Sequence, residues 1–222
     1  MLAEHFHVDE LALDDDPAPS WNVAPRAEVL AIVDRDDGRR MGRMRWGLVP
    51  SWADDPAVGD RMINARAESI QEKPAFRSAF ERRRCIIPAN GFYEWQATGG
   101  SRRQPMFITS RDDRPLAFAG LWEVWRDADD PEGEWLRSCA VITTGANAVV
   151  ARIHDRMPVM LAEAEWSEWL DRDAEDRAHL ASLLDPAPDD LLVTWPVSTR
   201  VNSARNDDAS LVVREDPLTL FG

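Results

Sequence analysis

The chain has 222 residues, 44% of them hydrophobic, enough apolar material for one large domain or two small ones, and a single domain over 1–222 is the expectation. No run reaches the roughly 18 to 20 uninterrupted apolar residues of a spanning helix, and the start lacks a basic segment followed by a hydrophobic block, so the sequence reads as cytoplasmic with no membrane partner. The net charge of -14 argues against nucleic acid at the level of the whole molecule, since phosphate binding is driven by cations.

In chain order, the opening ten residues read as a truncated helix, and 17–26 (PAPSWNVAPR) as an irregular, proline-rich segment. Val29 to Val33 form a short buried strand, and Met44 to Trp52 read as a strand ending at Pro50. After a polar loop, Ala65, Ala67 and Glu68 are expected to begin a helix that Pro74 interrupts, with Ala75 to Arg84 as its second part. Strands follow over Cys85 to Trp95, Pro105 to Thr109, Leu116 to Trp125 and Leu136 to Thr144, separated by Gly, Asp and Pro clusters. Ala146 to Arg152 reads as a short helix, Met157 to Leu161 as a strand, Ala164 to Leu184 as surface helices bearing Trp166 and Trp169, and Leu191 to Val197 as a last strand. The sum is an α+β domain built on a curved, barrel-like, mostly antiparallel sheet with peripheral helices.

The acids gather in runs, Asp14 to Asp16, Asp127 to Asp130, Asp171 to Asp176 and Asp185 to Asp190, which read as solvated surface of the kind found in proteins adapted to high salt. Of 26 cationic residues only Lys73 is a lysine, so an arginine-lined groove is compatible with the overall charge. Cys85 and Cys139 each sit in an apolar run and read as buried free thiols of a reducing compartment. No phosphate loop, dinucleotide fingerprint or Cys-x-x-Cys is present, and His5, His7 and Asp9 lack the further ligands that a zinc site needs, so neither metal nor cofactor is expected.

Three polar residues interrupt apolar or aromatic segments: Asn64 in MINAR, Glu94 in GFYEW and His154 in ARIHDRMPV. A carboxylate flanked by Phe92, Tyr93 and Trp95 is open to desolvation, which raises its pKa and suits it to proton transfer, and a histidine can share that work. Each also has a plain reading: Asn64 as a turn former, Glu94 as an outward strand residue, His154 as a core histidine. Arg66 and Arg156 each follow a polar candidate by two residues, where a guanidinium fork can clamp phosphate or pair with the abundant acids. Trp46, Trp52 and Trp95 lie near these motifs, where exposed rings can stack on bases.

At these residues the sequence resembles the SRAP (SOS-response-associated peptidase) family. The matching segments are WNVAP, RWGLVPSW, INARAES, RRCIIPANGFYEW, AGLWEVW, AVITTGAN, IHDRMPVML and PVSTRVN, covering the chain from Trp21 onward in order and spacing. The resemblance implies one SRAP domain with a pseudo-symmetric barrel core and a cleft for single-stranded DNA carrying abasic sites, including single-strand/duplex junctions. It implies covalent chemistry by an amino-terminal cysteine, whose α-amine forms a Schiff base with the abasic sugar and whose thiol closes a thiazolidine. In that scheme Asn64 holds the terminal residue, Glu94 transfers protons and reverses the crosslink, and His154 protonates the opened sugar. Arg66, Arg156, Trp52, Asn22 and Thr143 contact DNA. The family begins Met-Cys-Gly-Arg, whereas this sequence begins Met1-Leu2-Ala3-Glu4. Cys85 and Cys139 cannot substitute, because their amines are in peptide bonds, so the chain as written is expected not to form the crosslink. Two accounts stand: a start placed too late, or a paralogue without the nucleophile. The expectations are therefore a monomeric abasic-site processing protein, nucleoid-associated during DNA damage, with a non-covalent single-strand binder, or a Glu/His-dependent lyase or peptidase, as alternatives.

Overall fold

The computed structural model describes residues 2–130 and 132–215. Among them eleven strands form two sheets. The larger contains β1 (Glu10–Ala12), β2 (Glu28–Arg35), β3 (Gly38–Trp46), β4 (Asn64–Arg66), β5 (Arg84–Ala89), β8 (Leu116–Trp125), β9 (Leu136–Gly145) and β10 (Arg156–Pro158). The smaller has the order β11 (Leu192–Pro196), β7 (Arg103–Ser110), β6 (Gly91–Ala97). Four short helices flank them: α1 (Leu2–His5), α2 (Pro74–Arg82), α3 (Trp166–Leu170) and α4 (Arg177–Ser182).

Antiparallel pairing runs from β3 through β2, β5 and β8 to β9. β3 also meets β9 in parallel at Arg45↔Ser138 and Trp46↔Cys139, which closes that path into a ring. β1 on β3 and β4 on β9 are the other parallel pairs. The curved, mostly antiparallel sheet expected of the sequence is this ring.

Strand alternation feeds two cores. On β5, Ile86 faces the cluster containing Phe80, Leu121, Ile142, Trp166 and Trp169, whereas Cys85 and Ile87 face the one containing Ile108, Phe118, Met157 and Leu192. β9 divides in the same way, with Ala140 and Ile142 on one side and Cys139 and Val141 on the other. Burial on both faces is why β5, β8 and β9 read as unbroken apolar runs.

Several expected elements differ. The strand expected over Met44 to Trp52 begins at Gly38 and ends at Trp46. It stops because Gly47 adopts φ +136°, and a Cβ there would sit 2.7 Å from the Gly59 carbonyl oxygen. Two backbone segments therefore touch where only glycine fits. No helix begins at Ala65. Asn64–Arg66 pairs with Val141–Thr143 as a strand, because Ala65 is buried while Asn64 and Arg66 are exposed, and a 3-10 turn follows over Ala67–Ser69. Pro74 does not interrupt a helix but opens α2 at its first turn, where a missing N–H costs nothing. The single run from Cys85 divides at Asn90 into β5 and β6, which enter different sheets. The helix expected over Ala146 to Arg152 is a 3-10 turn over Val150–Arg152. Trp166 and Trp169 are buried in the core rather than carried on a surface helix, and the Trp169 indole N–H donates to the Cys85 carbonyl at 2.9 Å. The acidic runs are exposed, apart from the half-buried Ala174 and buried Ala187 between them. No helix among the described residues is long and apolar enough to cross a membrane.

Candidate functional site

The motif around Trp46 builds β4. The Trp46 indole donates to the Ile63 carbonyl at 2.8 Å, the Val141 amide donates to the same oxygen at 3.0 Å, and the Leu48 amide donates to Met62 at 3.1 Å. These bonds press the next three residues against the outer half of β9. β10 lies along the other edge of β9, with Arg156↔Gly145 and Pro158↔Thr143 in register, while Arg66↔Thr143 and Asn64↔Val141 are in register on the β4 side. Paired residues point to the same face, as do residues two apart, so Asn64, Arg66, Thr143 and Arg156 share one face. Gly145 lies on it too, and the space its missing Cβ would enter is open.

Two guanidinium groups on this face are in different states. Arg66 is exposed and has no ion pair among the described residues. Arg156 is held: both terminal nitrogens donate to the Glu68 carboxylate, one of them at 2.9 Å to Oε2, and Nη2 also donates to the Thr143 carbonyl at 2.6 Å. Arg156 and then the nearby Arg66 hold the Glu68 carboxyl below the usual carboxylate range. Glu68 is a residue that sequence reasoning missed, because nothing local says that it will meet a partner 88 positions away.

Glu68 thus fills the fork that a phosphate would need. Glu68→Gln is expected to tighten single-stranded DNA binding about tenfold, the worth of one charge-assisted hydrogen bond of ~1.5 kcal/mol, as read by fluorescence anisotropy. Because the folded-state pKa of Glu68 is lowered, its contribution to stability is present above the unfolded value and fades as pH falls through the folded one. The thermal-midpoint difference between wild type and Glu68→Gln should therefore shrink below about pH 4.5.

Glu94 lies on β6, whose alternate residues face opposite ways. Tyr93 and Trp95 turn to the carboxy-terminal segment and Trp21: the Tyr93 hydroxyl donates to the Trp21 carbonyl at 2.7 Å and the Trp95 indole to Asn202 Oδ1 at 2.7 Å. Phe92, Glu94 and Gln96 share the other face, where Gln96 Nε2 donates to the Arg152 carbonyl at 2.9 Å and so ties β6 to the loop bearing His154. Burial pushes the Glu94 carboxyl above its ordinary value, and the neighbouring His154 pulls the other way. His154 Nδ1 accepts the Arg156 amide at 3.0 Å. The same nitrogen lies 3.3 Å from the Arg156 carbonyl oxygen and 3.3 Å from Asp155 Oδ1, so donor and acceptor groups both meet Nδ1. The pair can hold and pass a proton.

Of the remaining candidates, Asn22 is committed to the fold: its amide nitrogen donates to the carbonyls of Val201 (3.1 Å), Ser203 (3.1 Å) and Asn206 (3.0 Å). Trp52 is 63% exposed but stands on a loop bound to the start of β9, where the Trp125 indole donates to the Ala53 carbonyl at 2.6 Å. The same loop is held at Val49, whose amide donates to Ser138 Oγ of β9 at 2.8 Å. Trp46 and Trp95 are half-buried and use their indole N–H groups within the protein. Both cysteines are buried, and burial pushes the Cys139 thiol up to about 12 and that of Cys85 well above its ordinary value, so neither is a nucleophile. His5 packs on Phe6 and Trp166, whereas Asp9 accepts from the Arg39 amide at 2.7 Å. No cluster of three potential metal ligands occurs among the described residues.

The family model for SOS response associated peptidase (SRAP) matches residues 1–204. The chain is 42% identical over 211 residues to the abasic site processing protein YoqW of Bacillus subtilis, covering 95% of this chain and 93% of that one. It is 32% identical to the abasic site processing protein HMCES of Rattus norvegicus, covering 91% and 69% of the two chains. Against YedK of Escherichia coli the identity is 29%, covering 96% and 91%. A solved structure of a protein from Bacteroides thetaiotaomicron superimposes with a TM-score of 0.77 at 28% identity, covering 86% of this chain and 82% of that one. The fold, the matched segments and these relatives agree, and the chain belongs to the SOS response associated peptidase (SRAP) family.

Proposed function

We propose that this protein recognises abasic sites in single-stranded DNA and processes them on the face shared by β4, β9 and β10. The observation that carries this reading is the juxtaposition of the partly buried Glu94 with His154, on a loop leading directly into β10, which shares a face with β4 and β9 that bears Arg66, Thr143 and Arg156. The names of the relatives, abasic site processing proteins, support the same substrate.

In this reading Arg66 binds a backbone phosphate and Arg156 joins it when Glu68 releases the fork. His154 protonates the ring oxygen as the abasic sugar opens to its aldehyde. In a form of the chain that begins with cysteine, the α-amine adds to the aldehyde carbon. Glu94 delivers a proton to the departing hydroxyl, and water leaves as the Schiff base forms. Addition of the thiol across the C=N bond then closes the thiazolidine, and Asn64 steadies the terminal residue. Single-stranded DNA, alone or at a junction with duplex, is the partner, and the protein acts as a monomer.

An oligonucleotide whose single uracil has been excised by uracil-DNA glycosylase tests this directly. A cysteine-initiated form should give a heat-stable adduct on a denaturing gel, and the form beginning Met1-Leu2 should give none. Absence of adduct from the cysteine-initiated form defeats the covalent step, and equal affinity for abasic and undamaged strands defeats the recognition.

A further inference from the structure

We propose that a cavity on the β2–β5 side of the ring is a binding site for a phosphoryl anion. None of its lining residues belongs to the site described above. It has a volume of about 180 Å³ and is lined by Asp34, Arg35, Arg82, Arg83, Arg84 and Arg172, with Trp122 and Leu170 as its apolar wall. At about 30 Å³ per water this is on the order of six waters, room for a phosphate or pyrophosphate.

Five of the chain's 25 arginines meet here, from three separate segments. Local structure accounts for two of them. Arg84 is 3% exposed and closes the end of α2, donating to the carbonyls of Phe80, Glu81 and Trp169, each at 2.7 Å, and to that of Asp171. Arg83 pairs with the buried Glu123 and donates to Ser78 at 2.9 Å. Cations at a helix carboxy terminus are favourable in any case. That explanation does not reach Arg35 and Arg172, which come from other elements. Neither Arg35 nor Arg82 makes an ion pair among the described residues, and Arg35 is held over the Trp122 ring at 5.2 Å. Arg172 is 3.6 Å from Asp36 in an exposed pair worth little.

The charge balance is positive. Glu123 pairs with Arg83, Asp36 with Arg172, and Asp171 lies beside Arg84, while Asp34, which lines the cavity, is taken by Arg39 at 3.0 Å. Five arginines and a single carboxylate, Asp34, line the cavity in a molecule whose net charge is -14. Among these arginines Arg84 is a buried cation whose hydrogen bonds all go to backbone carbonyls, with the Asp171 carboxylate and the Trp169 ring beside it. Within a Debye length of about 8 Å this local field outweighs the distant acids. Guanidinium forks, one pre-set by stacking on Trp122, suit the tetrahedral oxygens of a phosphoryl group.

The test is calorimetric titration of the full chain with sodium pyrophosphate, against sodium chloride at matched ionic strength, with thermal midpoints followed in parallel. Wild type should bind saturably and its midpoint should rise with ligand concentration. Arg35→Gln/Arg82→Gln should bind at least tenfold more weakly while keeping its midpoint in chloride. Arg205→Gln, at an exposed arginine outside both sites, should bind within twofold of wild type. If the double variant unfolds, Arg82→Gln alone, an exposed residue without an ion pair, gives the same comparison. No saturable binding above the chloride control, or binding by Arg35→Gln/Arg82→Gln and by Arg82→Gln within twofold of wild type, overturns the proposal. Competition by short oligonucleotides with and without a 5′-phosphate identifies the source: displacement only by the phosphorylated one supports a strand terminus, by both the nucleic-acid backbone, and by neither a free phosphate.

Discussion

In the cysteine-initiated form, Glu94→Gln is expected to slow abasic-site processing by about 10²- to 10⁴-fold, the range supplied by a positioned general acid or base. Affinity for abasic single-stranded DNA should stay within about twofold, because the amide keeps the shape of the carboxyl and Glu94 is not among the phosphate contacts. Single-turnover gels of adduct or cleaved strand give the rate, and anisotropy gives the affinity. The same variant carries its own control for folding. Burial raises the Glu94 pKa in the folded state, so the stability linked to its proton is full below the ordinary value of 4.5 and is lost as pH rises through the folded one. Glutamine removes that loss, so the thermal midpoint of Glu94→Gln at neutral pH should equal or exceed that of wild type. A variant that is slow and less stable would show that Glu94 supports the fold, and a stable variant with wild-type rate would remove Glu94 from the chemistry.

Arg66→Ala is expected to weaken single-stranded DNA binding by about 10- to 150-fold, corresponding to one charge-assisted contact of ~1.5–3 kcal/mol. The slope of log affinity against log salt should fall by about 0.7, the loss of one phosphate contact on a single strand. Stability should be unchanged, since the side chain is exposed and has no ion pair among the described residues. Arg156→Ala should behave differently: it also breaks the contacts to Glu68 and Thr143, so its midpoint should fall together with its affinity. The two effects should not add, because both arginines act on Glu68. Unchanged affinity and salt slope in Arg66→Ala would place the DNA path elsewhere.

Some of this was present in the sequence alone. The apolar runs at Leu116 to Trp125 and Leu136 to Thr144 needed no tertiary information, because strands buried on both faces leave a continuous hydrophobic signature. Glu94 stood out among aromatic residues for the reason that matters in the fold: burial without a salt bridge raises its pKa. Asn64 and His154 are visible as polar interruptions of apolar segments, and Arg66 and Arg156 as the arginines that follow them by two residues.

The sequence by itself determined the α+β class, the strand-rich order and which residues were chemically unusual, since these follow from local composition and period. Only the tertiary structure decided what each one touches. INARAES has the composition of a helix, yet Asn64–Arg66 within it is a strand, paired with β9 and with Ala65 filling the core behind it, and only a 3-10 turn follows. Arg66 and Arg156 look equivalent in the chain, but one faces solvent while the other is held by Glu68 through a contact set by strand register. Asn22 looked like a groove residue and is a bolt across three carbonyls nearly 180 positions away. Hydrogen bonds and ion pairs of this range depend on how the ring closes, and no local pattern encodes that closure.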